Sequence, residues 1–138
     1  MADLSGKVVL VADDDPALAI DLAQRFTAAG ALVVGVRTVA DGLRFAEEDH
    51  LSVAVVDCRL VGGDCGPICE RLAAHGIPVV FFCEEADVQR ACTPREIISK
   101  SADPAAVIDT AARLLCSSEA SGRPPHVAGG PVVPAMSR

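Results

Sequence analysis

Apolar residues in this chain gather in five short segments, Lys7–Ala12, Ala31–Val36, Leu51–Val56, Ile77–Phe82 and Glu96–Ser99, separated by stretches with helical spacing. Val53, Ala54, Val55 and Val56 are apolar at every position, which suits a strand buried on both faces of a parallel sheet. After the first segment, Asp15 can cap a helix and Pro16 suits its first position. Leu18, Leu22, Arg25, Phe26 and Ala29 keep helical spacing up to the stop at Gly30. Thr38 can cap a second helix, running to about Glu48 with Val39, Leu43 and Ala46 inward. Val61–Gly66 reads as a loop because three Gly and an Asp punctuate it. Pro67 starts a third helix that stops at Gly76. Cys83–Pro94 carries the weakest pattern, with room for about two helical turns around Ala86–Arg90 before Pro94 limits it. Ser101 or Asp103 caps a last helix, with Pro104 at its start and Val107, Ile108, Ala111, Leu114 and Leu115 inward.

Alternating strands and helices predict an α/β fold, a doubly wound five-stranded parallel sheet in the order 2-1-3-4-5 with a reduced fourth helix. The first and third strands then lie side by side at the switch point. The ordered domain is predicted over residues 5–116. Beyond it, Ser117–Arg138 is rich in Gly, Pro and Ser without periodicity and reads as a disordered tail.

Composition narrows the picture. The 138 residues are 51% hydrophobic but only 3% aromatic, so Val, Ala, Leu and Ile must fill one core. No apolar run approaches the roughly 20 residues of a membrane span. The N-terminus lacks a signal-peptide pattern, so a cytoplasmic protein without membrane contact is expected. A net charge of −7 argues against nucleic acid as a partner. The six cysteines show no C-x-x-C, the three histidines are scattered, and the cysteines read as small buried thiols.

Two of the buried strands end in acids, the first in Asp13, Asp14 and Asp15 and the third in Asp57. A carboxylate in that position cannot be core and belongs at the carboxyl edge of the sheet, where open α/β sheets bind ligands. Carboxylates brought together repel unless a cation neutralises them, so the arrangement asks for a divalent cation.

With these residues in place, Lys7–Cys116 resembles a response-regulator receiver domain of the CheY-like family, whose flavodoxin-like sheet has the same strand order. V-L-V-A-D-D-D-P resembles the first-strand acidic motif, with Asp13 and Asp14 as its pair. V-A-V-V-D resembles the phosphoacceptor strand ending in Asp57, I-P-V-V-F-F the fourth strand, and Lys100 falls where the family keeps a lysine after the fifth. The resemblance implies that Asp57 attacks a phosphohistidine of a histidine kinase or histidine phosphotransfer protein and becomes an acyl phosphate. It implies Mg²⁺ bound by Asp14 and Asp57 directly, by Asp13 mainly through water, and by the Arg59 backbone carbonyl. Lys100 would pair with phosphoryl oxygens.

Four positions depart from the family pattern. Cys83 replaces a Thr or Ser whose hydroxyl grips the phosphoryl group, and a thiol is a weaker donor. Glu84 replaces a small residue, Ile97 the switch aromatic, and Ser101 a proline. The leading expectation is a stand-alone receiver, not an enzyme, whose output is contact with a downstream protein; a homodimer stays open. A second is a pseudo-receiver that signals without phosphorylation. A third, a haloacid-dehalogenase-like phosphatase using Asp13 and Asp15, would need a cap domain and leaves Asp57 idle.

Overall fold

The structure, a computed structural model, describes residues 3–47, 50–84 and 96–120. In chain order the elements are β1 (Val8–Ala12), α1 (Pro16–Ala28), β2 (Leu32–Val36), α2 (Val39–Ala46), β3 (Val53–Val56), β4 (Arg59–Leu60), β5 (Gly63–Asp64), α3 (Gly66–Ala74), β6 (Val79–Cys83), β7 (Glu96–Ser99) and α4 (Ala105–Ala120). The main sheet is parallel throughout, in the order β2-β1-β3-β6-β7. With the β4–β5 hairpin set aside, this is the 2-1-3-4-5 order expected from the apolar segments.

The strands alternate between two apolar layers, as a period of two requires. Val9, Val11, Val53, Val55, Val80 and Phe82 pack with Leu22 and Phe26 of α1 and Val107 and Ala111 of α4. Leu10, Ala54, Val56, Phe81 and Cys83 pack on the other face with Ala46 of α2 and Ile68 and Leu72 of α3. Leu4 is buried in the first layer and its N–H donates to the Ala29 carbonyl, so the folded unit begins before the residue 5 predicted as its start.

Helix ends follow the capping chemistry. Asp15 accepts from the N–H groups of Ala17 and Leu18, Thr38 from Asp41, and Asp103, not Ser101, from Ala105. α1 and α3 end in the same way. Gly30 (φ 101°) and Gly76 (φ 70°) turn left-handed, and the N–H groups of Ala31 and Ile77 reach back to Phe26 and Leu72. Ala31 and Ile77 are therefore spent on closing helices, and β2 and β6 start later than their apolar residues suggested.

Three further expectations are revised. The predicted loop Val61–Gly66 contains β5, which pairs antiparallel with β4 just before it; Gly62 and Gly63 are at positive φ, and Val61 bridges to Thr38. α4 continues through residue 120, past the Cys116 at which the domain was predicted to end. Cys116 is exposed, unlike the buried Cys58, Cys65, Cys69 and Cys83. The reduced fourth helix around Ala86–Arg90, Cys92, and residues 121–138 of the tail lie outside the described residues. No helix among the described residues is long and apolar enough to cross a membrane.

Candidate functional site

The site forms where β1 and β3 end side by side. The Asp13 N–H donates to the Val36 carbonyl and the Asp57 N–H to the Ala12 carbonyl, so both acids leave the sheet in register. Asp13 and Asp57 are the two buried charged residues among those described, while Asp14 is exposed at the rim. One carboxylate oxygen from each of Asp13, Asp14 and Asp57 lies within 4.8 Å of the others. Oxygen-only donors at that spacing suit a hard divalent cation such as Mg²⁺.

Lys100 enters from the end of β7. Its backbone N–H donates to the Cys83 carbonyl, which ties it to the end of β6. Its Nζ lies 2.8 Å from Asp57 Oδ2 and 3.2 Å from Asp13 Oδ1, with the side chain only 11% exposed. Asp13 Oδ1 also accepts the Asp15 N–H at 2.9 Å. Burial raises the Asp13 carboxyl to about 6, against the hydrogen bond from Asp15 and the charge of Lys100. Burial alone would lower the Lys100 ammonium, but its contacts with Asp57 and Asp13 outweigh that and hold it above its ordinary value.

The other side of Asp57 is apolar. Cys83 closes β6, and its Sγ lies 2.8 Å from Cys58 Sγ and 3.9 Å from the Val56 carbonyl oxygen. Burial pushes both thiols up. Glu84, next in the chain, is exposed. Ile97 pairs with Phe81 in the β6–β7 ladder and packs, half-buried, against the α2–α3 layer. Arg59 opens the β4–β5 hairpin opposite Asp64, two residues past Asp57. Thus Asp13, Asp14, Asp57 and Lys100 come together, Cys83 closes the neighbouring strand with its thiol on Cys58, Glu84 is exposed, and Ile97 packs into the α2–α3 layer.

The Cys58–Cys83 contact was not foreseen from sequence. Its signal was the register: Val56 pairs with Phe81, so two residues further along both strands reach cysteine.

The architecture defines a class, the fold of response-regulator receiver domains. A CheY-like receiver domain protein from Methanospirillum hungatei superposes with a TM-score of 0.77 at 21% identity, covering 86% of this chain and all of that one, or 100%. A response-regulator receiver protein from Sinorhizobium medicae gives 0.71 at 23% identity, covering 84% and 98%. The receiver domain of a sensor histidine kinase from Pseudomonas aeruginosa, with a magnesium ion coordinated in its active-site cleft, gives 0.72 at 18%, covering 81% and 99%. In sequence, the chain is 32% identical over 81 residues to the transcriptional activator protein IrlR of Burkholderia pseudomallei. That match takes in 58% of this chain and 35% of the activator, so the chain spans about a third of that relative. No family model matches the chain.

Proposed function

We propose that this chain is a two-component response-regulator receiver that accepts a phosphoryl group on Asp57 and signals through protein–protein contact. The observation that carries this reading is Lys100 Nζ bridging Asp57 and Asp13 at the rim of a three-carboxylate cluster. A receiver needs that combination, a carboxylate nucleophile held beside a fixed cation at the open edge of the sheet. The donor would be a phosphohistidine on a histidine kinase or histidine phosphotransfer protein. An Asp57 oxygen forms the O–P bond as the N–P bond breaks, and the imidazole leaves with the electron pair. Lys100 balances the charge gathering on the phosphoryl oxygens. Asp13, Asp14 and Asp57, with the Arg59 carbonyl, would hold Mg²⁺, which supplies charge neutralisation when bound. The magnesium-bound Pseudomonas neighbour and the match to an activator support the same reading.

A second reading, a pseudo-receiver that works unmodified, is favoured by one observation. The Cys83 thiol, at the position of the family's gripping hydroxyl, rests on Cys58. Incubation with acetyl phosphate and Mg²⁺, followed by intact mass, separates the two. A gain of about 80 Da that is absent in Asp57→Asn supports the receiver. No gain under any donor and metal concentration leaves the pseudo-receiver.

A further inference from the structure

Cys83 stands where a gripping hydroxyl is expected, but its contact with Cys58 serves no step of the proposed transfer, and the placement of the pair is specific. β3 and β6 are parallel neighbours with Val56 opposite Phe81; Cys83 ends β6, and Cys58 lies two residues past the end of β3. Both belong to the α2–α3 layer, so their side chains leave the sheet on one face. The Sγ atoms are already 2.8 Å apart. In the same layer, Cys65, just before α3, lies with its Sγ 3.7 Å from that of Cys69 on α3, and its N–H donates to the Cys58 carbonyl.

From this geometry we infer that Cys58 and Cys83 form a reversible disulfide that switches off phosphoryl acceptance at Asp57. Its regulatory half rests on the reading of Asp57 as acceptor. The oxidant is a peroxide. One thiol attacks a peroxide oxygen, the O–O bond breaks, and a sulfenic acid and water result. The second sulfur then displaces water from the sulfenic acid. Two thiols thereby lose two electrons and two protons, and hydrogen peroxide becomes two waters. Both thiols are buried, and the residue that follows Cys83 in the chain, Glu84, is exposed. Burial makes the reaction slow, a response to sustained rather than brief oxidation.

The effect on the site follows from two connections. Cys58 follows Asp57 in the chain, and the Cys83 carbonyl accepts the Lys100 N–H. Drawing the sulfurs to a bond of about 2 Å moves the backbone that carries the nucleophile and the backbone that carries its cation. It also fixes the Cys83 side chain on the α2–α3 face, where it cannot turn toward a phosphoryl group. Misplacing a reacting group by about 1 Å can slow transfer by about a hundredfold, so a smaller shift on the same scale costs about tenfold.

The test treats the full chain with hydrogen peroxide for hours, then maps disulfides by non-reducing peptide mass spectrometry. It also measures acyl-phosphate yield from acetyl phosphate with Mg²⁺, before and after dithiothreitol. Expected are a Cys58–Cys83 linked peptide, a yield at least about tenfold lower, and recovery on reduction. Cys58→Ala should form the acyl phosphate equally well with and without peroxide. Should that variant not fold, recovery of the wild type on reduction carries the same information. Links made only through Cys65, Cys69 or Cys116, or sulfinic acid in place of any link, overturn the inference. So does a Cys58–Cys83 link with unchanged yield. If the reduced protein never takes up phosphoryl, the acceptor reading fails, and the linked peptide still decides whether the modification site exists.

Discussion

Asp57 stands between two unlike neighbourhoods. On one side are Asp13, Asp14 and Lys100, where the Lys100 ammonium donates to Asp57 at 2.8 Å and to Asp13 at 3.2 Å. On the other are Cys58 and Cys83, two buried thiols packed into an apolar layer. On the proposed reading, the charged side supplies what an acyl phosphate needs to form: a nucleophile, a cation and donors for a metal. The thiol side offers only a weak grip once the phosphoryl group has arrived. Charge and grip are separable parts of such a site, and the departures from the resembled pattern, at Cys83, Glu84, Ile97 and Ser101, leave Asp13, Asp14, Asp57 and Lys100 in place.

Removing Lys100 should break the charged side with the largest effect. Lys100→Ala leaves Asp13 and Asp57 buried with no cation between them, a loss of about 3 kcal/mol in urea unfolding at neutral pH without Mg²⁺. A loss within error of zero would mean the carboxylates are solvated and the cluster is not a unit.

Asp13 makes that side pH-sensitive. Its folded value of about 6 lies above its ordinary 3.8, so the folded state holds the proton more tightly. The stability this gives is fully present below about pH 3.8 and lost as pH rises through about 6, a total on the order of 3 kcal/mol without metal. Asp13→Asn should flatten stability across that window, as read by urea midpoints at steps of pH. An unchanged profile assigns the dependence to another group.

Mg²⁺ should act against the same repulsion. At about ten times its dissociation constant it adds roughly 1.4 kcal/mol, visible as a rise in melting temperature that Asp14→Ala with Asp57→Ala abolishes. An equal rise in the double variant removes the metal site.

The thiol side should respond in rate rather than stability. Cys83→Thr restores a hydroxyl donor and should speed acyl-phosphate formation several-fold, on the scale of one hydrogen bond of about 1 kcal/mol. Glu84→Ala should do less. An exposed carboxylate about 5 Å away in water repels by only about 0.8 kcal/mol, under about fourfold in rate. If Glu84→Ala exceeds Cys83→Thr, charge at the mouth, not grip, limits this site.

Sequence carried the sheet and the charged cluster because each strand announces itself locally. Val53–Val56 is apolar throughout and ends at Asp57, and Val8–Ala12 repeats the design before Asp13. Ala31 and Ile77 were read as strand because they are apolar, but a glycine before each commits its N–H to closing a helix. The β4–β5 hairpin was hidden by its glycines, which mark a turn without showing that two residues on either side pair. Cys58–Cys83 was hidden for a different reason. The contact depends on the register between two strands, and no local pattern states a register.

The most direct test of the account is chemical mapping of the phosphoryl group. The protein is incubated with acetyl phosphate and Mg²⁺, reduced with borohydride to convert an acyl phosphate to an alcohol, and digested for peptide sequencing by mass. Phosphoryl acceptance at Asp57 yields homoserine at position 57, with Asp13 and Asp14 unchanged and no conversion when phosphoryl donor is omitted. Conversion at Asp13 or Asp14, or none at any aspartate while Mg²⁺ still raises the melting temperature, would contradict it.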